Sequence, residues 1–369
     1  MGLGEILSAK IMTAVLKSQN IPAVCVNLED LLPRDLAESD SNLYDIIREK
    51  MGEACQKHVR EAVPVVTGYF GMVPGGMLTT VGRGYTDLTA ALIAADLQAV
   101  ELQLWKEVDG VFTADPRKVK SARLLSLMAP EEAAELSWFG SEVIHPFTME
   151  HVVRANVPIR IKNTFAPQNP GKARRRVLLI RPTGSKQSSP RLSGDGTQHE
   201  LSPDAHVPAA AAVTLKSDIT AINVKSLTRQ SAAQFSSKVF ATLEQSNVEV
   251  SMVSTATTSV SLACVDGDAI AGAIKDLSAI GEVVSKTDMA ILTVVGKNMR
   301  NKPGISGCIF GTLASIGVNI EMISQGASEI NVSCLIHKKN AVRALEAVHD
   351  ALILNNNDGS FRVNGVAAC

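Results

Sequence analysis

The spacing of apolar residues changes character more than once along this chain. Residues 1–20 carry Ile6, Ile11, Ala14 and Val15 at helical spacing, so that they return on one face. Residues 24–27 read as a short strand, and residues 42–59 as a second helix with Ser41 or Asn42 as a suitable N-cap. The run 63–71 predicts a buried strand that ends in a glycine turn at Gly68 and Gly71. A helix is expected over 88–97, a strand over 102–105 and an amphipathic helix over 131–139. Such alternation predicts an α/β fold built on a mainly parallel sheet. Ligands bind such sheets beyond the carboxyl ends of the strands, where the glycine turns fall.

From residue 168 this pattern stops. Residues 185–208 are rich in Ser, Pro, Gly and Asp, and few apolar anchors occur between Pro182 and His206. Residues 168–215 therefore predict a flexible linker or inserted loop. Periodicity then resumes as a repeat. Phe240, Leu243, Asn247, Val248, Val250, Met252 and Ser254 align with Phe310, Leu313, Gly317, Val318, Ile320, Met322 and Ser324, 70 residues further on. Leading strands are expected at 219–224 and 290–295. Each copy reads strand, helix, strand, strand, helix, strand, the ferredoxin-like βαββαβ plan. A unit of that kind has one sheet face to bury, so two copies should pair. Met252 and Met322 read as core positions. The loop holding Asn298, Asn301 and Gly304 before the helix of the second copy is either a ligand loop or a plain strand-to-helix connection.

Composition narrows the function classes. A formal net charge of -1 with 20% charged residues argues against a general nucleic-acid binder. The triplet Arg174-Arg175-Arg176 reads as a solvated turn before it reads as a phosphate site. The six cysteines are scattered without a CxxC pair, as in a reduced cytoplasmic protein. No apolar stretch reaches about 18 residues, so no membrane span is expected. The first 20 residues contain Glu5 and Lys10 and lack the order of a signal peptide.

Two clusters carry candidate chemistry. Gly82-Arg83-Gly84-Tyr85-Thr86-Asp87 opens the helix at 88–97. Its glycines let backbone approach a ligand, and Arg83 offers a fork that matches a carboxylate in two bonds. Thr86 and Asp87 fall where an N-cap is expected, beside free backbone N–H groups. The second cluster runs from Trp105 to Arg117. Lys106, Phe112 and Arg117 supply charge and an apolar wall suited to a nucleotide; a decorated surface loop is the alternative. His145, before Pro146, reads as structural more readily than as catalytic. No spacing of His, Cys and carboxylates matches a metal site.

Four pieces occur in one order. They are Gly4-Glu5 with Leu7-Ser8, the stretch 82–87, Trp105-Lys106-Glu107-Val108-Asp109-Gly110 with Asp115-Pro116-Arg117, and Gly140-Ser141-Glu142-Val143-Ile144-His145-Pro146 with residues 159–164. Together they resemble the aspartate kinases of the amino acid kinase family over roughly residues 2–167, and the Tyr85-Thr86 wording is similar to the fungal members. The repeat resembles paired ACT domains, which bind small amino acids. The resemblance implies 1–167 as an incomplete amino acid kinase domain, 168–215 as linker, and 216–286 and 287–365 as two ACT-like domains. It implies transfer of the ATP γ-phosphoryl group to the side-chain carboxylate of L-aspartate, with Mg²⁺ at the phosphates.

The roles it implies are specific. Glu5 holds the substrate amino group, Arg83 grips the α-carboxylate, Thr86 offers a substrate-binding hydroxyl and Asp87 orients the reacting groups. Lys106, Glu107, Phe112 and Arg117 fall in the nucleotide segment. Asn298, Asn301 and Gly304 fall in the allosteric loop, with threonine as the implied feedback ligand and a homodimer or higher homo-oligomer as the implied assembly. Glu142 stands where some bacterial members carry a nucleotide-binding Lys. The family's opening Lys-Phe-Gly-Gly-Thr-Ser strand has no counterpart here. The first strands of the sheet are therefore expected to be absent and the chain to be a weak kinase, unless a longer chain or a partner supplies them. An amino-acid-sensing regulatory subunit is the rival expectation, and a paralogue serving a fungal specialised-metabolite pathway is a further one.

Overall fold

The computed structural model describes residues 2–32, 43–71, 73, 84–125, 127–139, 146–167, 178–180, 210–228, 231–299, 302–326, 330–354, 362–363 and 366–367. Two units emerge. One comprises Met1–Val111 with Leu124–Pro190, the other Phe112–Arg123 with Arg191–Cys369. Among the described residues no helix is long and apolar enough to cross a membrane.

The first unit opens with α1 (Leu3–Ser18), which packs on two parallel strands, β1 (Ala23–Val26) and β2 (Val63–Val66). The face that α1 buries is not the one its apolar spacing predicts. Ala9 and Thr13 are buried, whereas Ile11 and Val15 are exposed together with Leu3, Leu7 and Met12. Small side chains bring the helix backbone close to the strands, and Thr13 Oγ1 donates to Ala9 O at 2.7 Å instead of being left unsatisfied. Two further helices, α2 (Leu43–Gln56) and α3 (Tyr85–Asp96), pack together. Their contact is close: a Cβ on Gly52 would stand 1.7 Å from Asp96 Oδ2. Leu28, Ile47, Met51, Phe70, Leu88 and Leu92 close the core here, each fully buried. Each such side chain stabilises the fold by about 1.5–3 kcal/mol relative to exposure.

The rest of this unit is a four-stranded sheet in the order β3-β5-β6-β4, built from β3 (Leu102–Lys106), β4 (Leu127–Met128), β5 (Ile159–Asn163) and β6 (Leu178–Ile180). β3 runs parallel to β5, with Leu102 opposite Ile159 and Lys106 opposite Asn163. β6 runs antiparallel to β5 and parallel to β4. Helices α4 (Pro130–Trp138) and α5 (Pro146–Arg154) follow β4 in the chain and pack on each other. The carboxyl ends of β3 and β5 thus lie side by side, at Lys106 and Asn163.

The second unit is one antiparallel sheet of six strands, ordered β11-β12-β10-β7-β9-β8. Its two long strands, β7 (Ala212–Ser226) and β10 (Gly281–Val295), pair from Gly281 opposite Ser226 to Val295 opposite Ala212, with irregularities between Lys286 and Ile291. The first repeat uses residues 219–226 of β7, α6 (Ala232–Gln245), β8 (Val250–Thr255), β9 (Ser259–Val265), α7 (Ala269–Leu277) and the first half of β10. Phe235, Val239 and Leu243 of α6 bury against Ile222, Val224, Val260 and Leu262. The second repeat uses the other half of β10, α8 (Ile305–Ser315), β11 (Ile320–Ser324), β12 (Asn331–His337) and α9 (Ala341–His349). Beside its β10 half lies residues 212–216 of β7, the chain that precedes the first repeat. The expected leading strands are therefore halves of longer ones, because each long strand serves both repeats. Met252 and Met322 are buried, as their positions in the repeat predict.

Residues 112–123 belong to this second unit. Val213 N donates to Thr113 O at 2.8 Å, and Ala114 and Val119 join the core of the second repeat. Thr113 Oγ1 lies 2.9 Å from Nε2 of the buried His349, and Ser121 Oγ donates to Asp350 Oδ1 at 3.1 Å.

Candidate active site

The start of α3 organises the site. Gly84 holds φ at 91°, a left-handed conformation that costs glycine nothing and other residues about 1–2 kcal/mol. Its carbonyl accepts from Asp87 N at 3.0 Å and Leu88 N at 3.2 Å. The N-cap is therefore Gly84, not Thr86 or Asp87 as the sequence pattern predicts. The positive φ that glycine permits lets the helix begin two residues early. Thr86 and Asp87 consequently stand in the first turn, where the helix dipole favours the Asp87 carboxylate.

Glu5, in the first turn of α1, reaches the same place. Its Oε1 accepts from the Tyr85 hydroxyl at 2.5 Å, and its Oε2 accepts from the Tyr69 backbone N–H. The bond to Glu5 is the main reason that the Tyr85 phenol is pushed up to about 12. The rings of Tyr69 and Tyr85 meet edge-on, with centroids 6.4 Å apart. Gly68 lies between these groups. A Cβ there would stand 2.0 Å from Thr86 Cγ2 and 3.0 Å from Glu5 Oε2, so only glycine lets the β2 turn come this close. Thr89 Oγ1 ties that turn to α3 by donating to Gly68 O at 2.6 Å. A carboxylate, a threonine and a glycine turn thus converge at the carboxyl end of β2.

The carboxyl end of β3 supplies a cation. Lys106 Nζ lies 2.9 Å and 2.7 Å from the two carboxylate oxygens of Asp87. Lys106 O accepts from both N and Oγ1 of Thr164, at 2.8 Å and 3.0 Å, which fixes the strand end. Asn163 Nδ2 donates to Asp109 Oδ1 at 3.0 Å across the neighbouring strand ends. Trp105 is half exposed, with Lys162 Nζ 4.1 Å from its ring centroid. Glu107 is exposed beyond the strand.

The remaining expected residues divide. Phe112 and Arg117 lie in the second unit, in the segment that packs with His349. Arg117 is exposed and forks onto Asp115, through Nε at 3.0 Å and Nη2 at 3.1 Å, which draws the Asp115 carboxyl below its usual range. Gly304, with φ at 90°, lines a cavity of about 380 Å³ with Met299, Lys302, Ile305, Ser306 and Gln325. Asn298 is exposed and is not among the residues lining it. Arg83, Asn301, residues 140–145 and Arg174-Arg175-Arg176 lie outside the described residues. The contacts of Tyr85 and of the Tyr69 backbone with Glu5 are additions, since the motif that contains Tyr85 gave it no role. A hydroxylated aromatic beside Thr86-Asp87 was the available signal, but its partner lies 80 residues away.

Among the described residues no group of three or more His, Cys, Asp or Glu is placed to hold a metal ion.

The profile of the amino acid kinase family matches residues 1–163, and that of an ACT domain matches residues 292–352. An aspartokinase of Schizosaccharomyces pombe is 44% identical over 363 residues, which cover 95% of this chain and 68% of the relative. Among solved structures, Escherichia coli aspartokinase III in complex with aspartate and ADP matches with a TM-score of 0.73 at 25% identity, over 94% of this chain and 73% of that one. The same enzyme in complex with lysine and aspartate matches with a TM-score of 0.68 at 25% identity, over 95% of this chain and 74% of that one.

Proposed function

The chain belongs to the aspartokinases, amino acid kinases that phosphorylate aspartate with ATP, and on that premise we propose how its residues divide the reaction. The convergence of Glu5, Gly68 and Thr86 at the β2 turn carries the reading. It brings together a carboxylate and a hydroxyl, groups suited to an amino acid's ammonium and carboxylate. A carboxylate has about four acceptor positions, and the Tyr85 and Tyr69 donors take two of them. Glu5 keeps acceptor capacity for the substrate ammonium. Thr86 offers its hydroxyl, and Arg83 binds the α-carboxylate.

Asp87 and Lys106 form the polar link between these groups and the nucleotide segment. Phosphoryl transfer depends on positioning and charge neutralisation. Asp87 holds the Lys106 ammonium in a fixed orientation, and Lys106 brings positive charge to the phosphates of ATP. Mg²⁺ bound through the phosphates would neutralise their remaining charge. Glu107 extends the nucleotide segment beyond the end of β3.

The cavity beside Gly304 is the site for a feedback amino acid, with Lys302 and Gly304 on its wall. The expected ligand was threonine. Escherichia coli aspartokinase III is found in complex with lysine and aspartate, so both lysine and threonine are to be tried. Pairing of two copies through closed symmetry is the assembly we assign. The cysteines among the described residues are free thiols, which suits a cytoplasmic setting.

A coupled assay for ADP release, with ATP, Mg²⁺ and L-aspartate, tests the reading. Turnover that requires L-aspartate and falls in Glu5→Gln supports it. Equal turnover with L-glutamate, or an unchanged KM for aspartate in Glu5→Gln, would overturn the site assignment.

A further inference from the structure

We propose that Tyr85 is the positioning residue for Glu5, and that its hydroxyl sets the affinity for the amino acid substrate by holding the Glu5 carboxylate in its binding orientation. The inference rests on the reading of Glu5 as the acceptor for the substrate ammonium.

Glu5 is on the first turn of a helix and carries a flexible side chain with three rotatable bonds. Two donors fix it. One is the backbone N–H of Tyr69, which no side-chain substitution removes. The other is the Tyr85 hydroxyl, 2.5 Å from Oε1. Tyr85 is the first residue of α3, so the bond links the helix that carries Thr86 and Asp87 to the helix that carries Glu5. The Tyr69 ring packs edge-on against Tyr85 and limits where the phenol can go.

The chemistry of the donor matters as much as its place. An arginine or lysine here would neutralise Glu5 and compete with the substrate's own ammonium. A neutral phenol donates one hydrogen bond and leaves the full negative charge on the carboxylate. The phenol, pushed up to about 12 by this same bond, remains a donor throughout the working pH range. Tyr85 therefore orients Glu5 without lowering the charge that recognises the amino acid. Gly68 completes the arrangement, because any side chain there would press on both Glu5 and Thr86.

The test uses the full chain carrying Tyr85→Phe, which keeps the ring and removes only the donor. KM for L-aspartate should rise about tenfold, the size expected for a lost hydrogen bond to a charged group. The values of kcat and of KM for ATP should stay within about twofold, and the melting temperature should be nearly unchanged. Calorimetric titration with L-aspartate alone should show the same loss of affinity, and it does not depend on turnover. Glu5→Gln is the control. If Glu5→Gln weakens aspartate binding and Tyr85→Phe does not, the positioning role is wrong and the reading of Glu5 stands. If Glu5→Gln leaves aspartate binding unchanged, the reading of Glu5 falls, and the proposal with it. A Tyr85→Phe variant that loses aspartate and ATP affinity equally, or melts much earlier, would make the bond structural and overturn the proposal.

Discussion

Lys106 Nζ is held by both carboxylate oxygens of Asp87, at 2.9 Å and 2.7 Å, although the two residues stand on different elements 19 positions apart. The pair ties the end of β3 to the first turn of α3. Its side chains are 28% and 15% exposed, so water screens it less than a surface pair. On the reading proposed above, this fixed orientation of the Lys106 ammonium is the preorganisation that phosphoryl transfer would use.

Removing either partner should therefore act on the chemical step. Lys106→Met is expected to lower kcat by about 100-fold or more, the range for loss of a preorganised electrostatic group. Asp87→Asn keeps the shape but frees the lysine, and should also lower kcat. Steady-state kinetics with varied ATP and varied aspartate would separate the effects. A change confined to KM for aspartate in both variants would remove Lys106 from the nucleotide side of the site.

Gly68→Ala should be costly in two ways. The new methyl would stand 2.0 Å from Thr86 Cγ2, so the β2 turn and α3 must separate. Overpacking of this kind costs about 1–3 kcal/mol. Because the same shift moves Thr86 and Glu5, KM for aspartate should rise as well. Urea unfolding and aspartate titration of one variant measure both effects. Wild-type stability together with wild-type KM would mean that the turn has room the structure does not show.

Much of the fold was legible because its signals are local. The 70-residue repeat, the glycine before α3 and the apolar runs of β1 and β3 each announce an element without help from distant residues. What stayed hidden depends on separation in sequence. The buried face of α1 is set by the strands it meets, which select Ala9 and Thr13 over larger side chains. The position of residues 112–123 is set by Thr113 and His349, 236 residues apart. Motif order placed Glu5, Thr86, Asp87 and Lys106 in one reading. It named Tyr85 as part of a motif but gave it no role, because its bond to Glu5 exists only once α1 and α3 are brought together.

His349 gives the second unit a pH dependence with a definite sign. It is fully buried, and burial is the main cause that lowers its pKa from 6.5; Asp350 opposes the shift and Arg123 assists it. The folded chain therefore binds this proton more weakly than the unfolded chain. Stability from this group is fully present above 6.5 and is lost as pH falls from 6.5 towards the folded value. Chemical denaturation of the full chain at several pH values between 7 and about 5 should show that loss, and His349→Gln should flatten it. Thr113→Val removes the partner of Nε2 and should cost about 1–3 kcal/mol, because a buried polar atom is left unpaired. A pH profile unchanged in His349→Gln would assign the acid sensitivity to other groups.

The cavity beside Gly304 should respond to a free amino acid without aspartate or ATP. Its walls include Lys302, Ser306 and Gln325, with Ser306 Oγ donating to Gln325 Oε1 at 3.1 Å, so polar groups for an amino acid's termini come from one loop, the first turn of α8 and the residue after β11. A ligand that binds only the folded state at about 100 times its Kd stabilises that state by about 2.7 kcal/mol. Thermal melts of the full chain with lysine, threonine and methionine should show a shift with one of them. Gly304→Ala is the companion variant. Its φ of 90° is strained for alanine by about 1–2 kcal/mol, so the loop should move and the ligand shift should shrink or vanish while α8 stays folded. A shift of equal size in wild type and Gly304→Ala would place the feedback site elsewhere. No shift with any of the three would leave the second unit without the sensing role proposed for it.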